Sequence, residues 1–89
     1  MKAVITVVGK DTVGILASVS TKCAEYGLNI EDVSQSVLQD MFCMIMIADI
    51  SKMKVSLSEF GDDIGAMGKK MGMDIRVMHE DIFDSMHRI

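Results

Sequence analysis

Ala3-Val4-Ile5-Thr6-Val7-Val8-Gly9-Lys10-Asp11-Thr12-Val13-Gly14-Ile15-Leu16 is the stretch on which the fold turns. Ala3 to Val8 is apolar or β-branched and is bounded by Gly9, which marks a first strand. From Gly14 the apolar spacing lengthens to three and four residues. Leu16, Val19, Cys23 and Tyr26 then fall on one helical face. Asp11 or Thr12 is placed to cap that helix, and Gly27 to end it in a left-handed turn.

Working outward, 28–38 reads as a second strand with imperfect alternation and many polar residues, the character of a sheet edge. Gln39-Asp40 is a short hairpin turn. Residues 41–50 form a third strand, apolar on both faces. Leu57, Phe60, Ile64, Met67 and Met71 step by three and four, so 55–71 is a second helix, capped by Ser56 or Ser58 and closed by Lys69-Lys70 and Gly72. Met73, Ile75 and Val77 alternate with Asp74 and Arg76 in a fourth strand. Residues 79–89 form a short tail helix with Ile82, Phe83, Met86 and Ile89 on one side. Strand–helix–strand occurs twice. The fold class is therefore α+β, a ferredoxin-like βαββαβ two-layer sandwich with antiparallel sheet order 4-1-3-2 and a short C-terminal helix.

The 89 residues suffice for one domain with a thin core. Ten methionines, three phenylalanines and one tyrosine make that core aliphatic. The formal net charge of −4 opposes non-specific binding to nucleic acid. No basic run meets an anionic membrane, and the apolar run 41–48 is too short to span one. Asp11 falls too early for a secretory leader. Cys23 and Cys43 lack metal or redox spacing and read as small core residues in a cytoplasmic protein. Apolar residues on both faces of the first and third strands (Val4, Ile5, Val7, Val8 and 41–47) need cover from the tail helix, a second chain, or both.

Three features carry possible chemistry. The Gly9–Gly14 loop leads into a helix N-terminus, where free N–H groups favour an anion and Gly14 leaves room for it. It lacks the glycines and the Lys-Ser/Thr ending of a phosphate loop. Asn29 offers an amide that donates and accepts, although from spacing alone a turn residue bonding its own backbone is the better reading. His79, Asp84 and His87 share the tail, where a solvated charged face is the simpler reading; no metal and no cofactor are expected. Gly61, Gly65 and Gly68 form a small-residue stripe suited to close helix–helix contact. Met44 and Met46, on one strand face, read as core filling and not as a copper site.

Gly9-Lys10-Asp11-Thr12-Val13-Gly14-Ile15-Leu16-Ala17, followed by Tyr26-Gly27-Leu28-Asn29-Ile30, resembles the ACT-domain pattern. In that pattern an Asp-x-Pro-Gly stretch with two aliphatics opens the first helix, and Gly-x-Asn-Ile begins the second strand. The resemblance covers 2–78, so 1–78 is the ACT-like domain and 79–89 a tail packed on it or on a partner subunit. The ending from His79 to Ile89 resembles stand-alone bacterial and archaeal ACT proteins. The resemblance implies regulatory binding of a small molecule, most often an amino acid, at a dimer interface, and no enzymatic activity. The positions it implicates are Asp11, Thr12, Val13, Gly14, Asn29 and Ile30. Val13 stands where proline is usual, which loosens the loop. Gly9 and Asp11 stand where serine-sensing members carry histidine and asparagine, so serine specificity does not carry over.

Rival modules of this topology fail on chemistry. Metal-transport domains need Cys-x-x-Cys after the first strand, acylphosphatases an arginine there, and RNA-binding sheets stacking aromatics on the central strands. No nucleophile–base–orienter set marks a hydrolase. Two functions remain: a homo-oligomeric amino-acid sensor, or a dimerisation module that regulates a partner enzyme or regulator without a ligand of its own.

Overall fold

The structure is a computed structural model that describes residues 1–10 and 14–86. β1 (Lys2–Lys10), α1 (Ile15–Glu25), β2 (Asn29–Leu38), β3 (Met41–Asp49), α2 (Leu57–Lys70), β4 (Met73–His79) and α3 (Glu80–Met86) follow one another in the expected order. The strands form one sheet, β2-β3-β1-β4, with every neighbouring pair antiparallel, which is the 4-1-3-2 order read from its other edge.

Alternation splits the sheet into two faces. Ala3, Ile5 and Val7 of β1, Phe42, Met44, Met46 and Ala48 of β3, and Met73 and Ile75 of β4 face the helices and are buried. They pack with Ile15, Val19 and Cys23 of α1 and with Phe60 and Ile64 of α2. Leu16 therefore does not belong to the inward stripe. The buried face of α1 runs 15, 19, 23, and Leu16, one residue (about 100°) round from Ile15, is exposed. Met44 and Met46 fill the core.

Three further sequence expectations are corrected. β1 does not stop before Gly9 but continues to Lys10. Gly9 is there because a Cβ would lie 2.5 Å from the Met73 sulfur and 2.9 Å from the Gly72 carbonyl oxygen, so it admits the entry of β4. The glycine stripe of α2 faces a strand, not a helix. A Cβ on Gly68 would meet Ile75 Cγ1 at 2.7 Å, and those on Gly61 and Gly65 would meet Val77 and the Ile75 carbonyl at 3.7 Å. α2 thereby lies close on β4. Cys43 is not fully buried like Cys23 but half-buried, because it points to the face without helices. Burial pushes the Cys23 thiol up to about 11.

The irregular alternation of β2 has a cause. A bulge between Ile30 and Asp32 shifts the register, so that Ile30 pairs with Ala48 and Val33 with Met46. Ile30, Val33, Gln35 and Val37 consequently share the helix-side face. The helices do not reach far enough to cover it, since Val33 and Val37 are 38% and 53% exposed. The opposite face carries Val8, Met41 and Ile45, all exposed, while Val4 is 2% exposed at the end where α3 packs on β1 and β4.

Ser56 caps α2 by accepting from the Glu59 N–H at 3.1 Å. The helix starts two residues after Val55 for that reason. Gly27, at φ +82, closes α1 as the Leu28 N–H reaches the Cys23 carbonyl at 2.9 Å. Among the described residues no helix is long and apolar enough to cross a membrane.

Candidate functional site

The two motif halves stand at opposite ends of the sheet. β1 enters at Lys2, paired with Asp49, and leaves at Lys10, paired with Met41. Gly14 follows that exit. Asn29 pairs with Asp49 and so lies at the entry end. α1 joins them, and its 11 residues at about 1.5 Å each hold the two roughly 16 Å apart. One small ligand in one chain does not touch both.

At the Gly14 end, α1 begins with Gly14 itself as its N-cap, at φ +87, and with no side-chain cap. The expectation that Asp11 or Thr12 caps the helix is therefore corrected: the chain enters through a left-handed residue, which glycine tolerates. Among the described residues nothing lies within 4 Å of where a Gly14 Cβ would be. Asp11, Thr12 and Val13 lie outside the described residues.

At the Asn29 end a cavity of about 220 Å³ is lined by Gly27, Asn29, Asp49, Ser51 and Lys52. The Gly27 turn and the segment after β3 wall it closely, since a Cβ on Gly27 would lie 2.9 Å from the Lys52 carbonyl oxygen. The Ser51 N–H donates to Asp49 Oδ1 at 2.9 Å. That bond, joined by the Ser51 side chain, holds the Asp49 carboxyl below its usual range. Ile30 packs against the core instead of lining the cavity. Asp49, Ser51 and Lys52 were missed in the sequence because they read as the end of a strand and a polar loop. A carboxylate closing the apolar run 41–48 was the available signal.

A third polar cluster ties the helices together. The Tyr26 hydroxyl donates to Asp63, Lys22 lies 3.6 Å from the same carboxylate, and the Tyr26 ring meets Phe60 edge-on with centroids 5.2 Å apart. The Asp63 bond drives the Tyr26 hydroxyl up to about 12 and holds Asp63 below its usual value. In the tail, His79 Nδ1 accepts from the Asp81 N–H at 3.1 Å. Among the described residues no three His, Cys, Asp or Glu side chains gather as metal ligands, and His87 lies outside them.

Comparison with known proteins agrees with the sequence pattern. A family model described as ACT domain matches residues 2–78. A UPF0237 protein of Methanopyrus kandleri is 43% identical over 88 residues, covering 99% of this chain and 98% of the relative. Another from Clostridium acetobutylicum is 47% identical over 89 residues and covers all of both chains. Among solved structures, an ACT domain protein from Streptococcus pneumoniae superimposes with a TM-score of 0.82 at 43% identity, covering 94% of each chain.

Proposed function

Because the chain belongs to the ACT-domain family, whose fold is a regulatory ligand-binding one found in amino-acid-sensing proteins, we propose that it is a cytoplasmic amino-acid sensor that works as a homodimer. Its ligand sits where Asp11, Thr12, Val13 and Gly14 of one protomer meet Asn29 and Ile30 of its partner. The observation that carries this is the placement of the two motif halves at opposite ends of α1. A two-fold axis beside an edge strand turns one copy end for end, bringing the Asn29 end of one protomer to the Gly14 end of the other.

β2 is suited to be that edge. It is ten residues long and contains no proline, and from Val33 to Leu38 it carries no charge. Edges left unpaired in solution are usually short, bulged or charged. Here the bulge and the charges Glu31 and Asp32 are confined to one end. Antiparallel pairing of β2 with its copy continues the sheet to eight strands and sets Glu31 and Asp32 away from their counterparts. It also covers Val33 and Val37 on the helix side.

The chemistry at the two ends suits an amino acid. The N–H groups at the start of α1 receive a carboxylate, and a carboxylate or amide oxygen receives an ammonium. No step of catalysis is assigned to these groups. Light scattering at micromolar concentration, paired with calorimetry against a panel of amino acids, tests the proposal. It expects a dimer mass and at least one saturating amino acid; a monomer, or a dimer that binds none of the panel, counts against it. In the latter case the apolar far face with Val8, Met41 and Ile45 favours the second reading, a pairing module that docks on a partner enzyme or regulator.

A further inference from the structure

The face of the sheet away from α1 and α2 is only half covered. At the end where β4 finishes, Val4 is buried where α3 packs on β1 and β4. Among the described residues nothing covers the other end, where Val8, Met41 and Ile45 are exposed. On that half β2 and β3 present Ser34, Ser36, Leu38, Met41, Cys43 and Ile45, and none of these is charged. In a chain that is 25% charged, such a face marks a surface that is covered in use. α3 has a matching surplus. Phe83 is half-buried, yet Ile82 and Met86, one turn apart on a single side of the helix, are 56% and 65% exposed. α3 also lies beyond the ACT domain, whose match ends at residue 78. Closing the end of its own sheet needs one apolar side, not two.

We propose that the bare half of this face is the docking site for α3 of a second copy, with Ile82 and Met86 of each chain laid against Val8, Met41 and Ile45 of the other. The contact is self-complementary, since each chain offers one helix and one empty half and a two-fold axis fills both. The dimensions agree: from Met41 to Ile45 the bare stretch runs about 13 Å, room for one helix about 10–12 Å across. The charges agree as well. Among the described residues α3 carries Glu80, Asp81 and Asp84 and no base, while Lys10 and Arg76, the latter beside Asp74, border the bare half. Docking uses neither the β2 edge nor the ends of α1, so two β2-paired dimers join back to back with their shared sites intact. Helices this short bury less than about 1,200 Å² in the reciprocal contact, the size of weak, reversible interfaces. The dimer therefore prevails at micromolar concentration and doubles its mass as the concentration rises.

The test is sedimentation velocity on the full chain from about 10 to 1,000 μM, with isotope-filtered NMR on a mixture of labelled and unlabelled chains. Two double variants accompany it, Ile82→Gln with Met86→Gln on the helix and Val8→Thr with Ile45→Thr on the sheet. All four side chains are exposed and each replacement keeps helix or strand propensity, so both variants fold, which circular dichroism checks. The expected result is a mass that climbs from dimer towards tetramer, with the Met86 methyl of one chain close to the Ile45 and Val8 methyls of another. Each variant is expected to keep the mass seen at micromolar concentration and to associate further at least tenfold more weakly. A mass that stays constant to the highest concentration, a climb that either variant retains within twofold, or Met86 contacts confined to its own chain overturns the proposal and leaves the face to a different protein. The mass at micromolar concentration reads β2 pairing and its doubling reads α3 docking, so failure of one is not mistaken for failure of the other.

Discussion

Replacing Phe60 by alanine will cost the domain about 3–5 kcal/mol, a large part of the stability expected of a single core this size. Phe60 is fully buried at the centre of the helix layer and packs among the sheet residues below it. Its ring is also the edge-on partner of Tyr26, whose hydroxyl holds Asp63 across the two helices. Truncation therefore leaves a cavity and frees the tie between α1 and α2 together. Phe60→Leu keeps most of the volume and is expected to lose about 1.5 kcal/mol or less. Urea unfolding at one fixed protein concentration measures both, the fixed concentration being needed because dimer stability depends on it. A loss below about 1.5 kcal/mol for Phe60→Ala would show that the core is not centred on this ring.

The second large effect falls on assembly. Changing Val33 and Val37 together to lysine will turn the dimer into a folded monomer and abolish amino-acid binding. Both side chains lie on the helix-side face of β2, beyond the reach of the helices, so in one chain the lysines extend into solvent. In the proposed dimer they are covered, and the two-fold axis brings like charges together. An unpaired charge enclosed in an interface costs on the order of 3 kcal/mol, a weakening of about a hundredfold or more. Light scattering and circular dichroism on the same sample separate the outcomes. A monomer with native helix and strand content is expected. A dimer of wild-type mass would place the interface on another surface.

Much of the fold was legible because periodicity reports burial directly. The step of three and four in Phe60, Ile64 and Met67 and the alternation in Met73 to Val77 have one structural solution each. The misreadings have physical reasons. Leu16 and Ile15 are both aliphatic, and which of them points inward depends on where the helix begins, which a left-handed Gly14 decides. The bulge at Glu31 makes β2 look aperiodic, because it moves Val33 onto the face of Ile30. The α2 glycines show that something approaches closely but not whether it is helix or strand. Only the position of Ile75 settles that.

The candidate site was half legible. Gly14 and Asn29 stand out by residue type at a turn, whereas Asp49 and Lys52 gain meaning only when β3 is laid beside β2 and Gly27 is folded against the Lys52 carbonyl. That the motif halves sit at opposite ends follows from strand direction alone. Fourteen residues lie between Gly14 and Asn29, and most of them are spent as α1 running back along the sheet. Closeness in sequence is thus converted into distance within one chain, and only a second copy undoes it.

The direct measurement is complementation between damaged protomers. Gly14→Asn tolerates the left-handed backbone and adds a side chain at the start of α1, whereas Asn29→Ala removes the amide at the other end. Each variant alone has a lesion in every site and is expected to bind at least tenfold more weakly than wild type the amino acid that saturates it. The two are mixed in equal amounts, unfolded and refolded together, and titrated by calorimetry. If each site is built from two protomers, half of the dimers are mixed, and each of these holds one site with both lesions and one with none. About a quarter of all sites then recover wild-type affinity. If the site lies within one chain, either one variant alone keeps wild-type affinity or the mixture regains none beyond its parents, and the shared-site account is wrong.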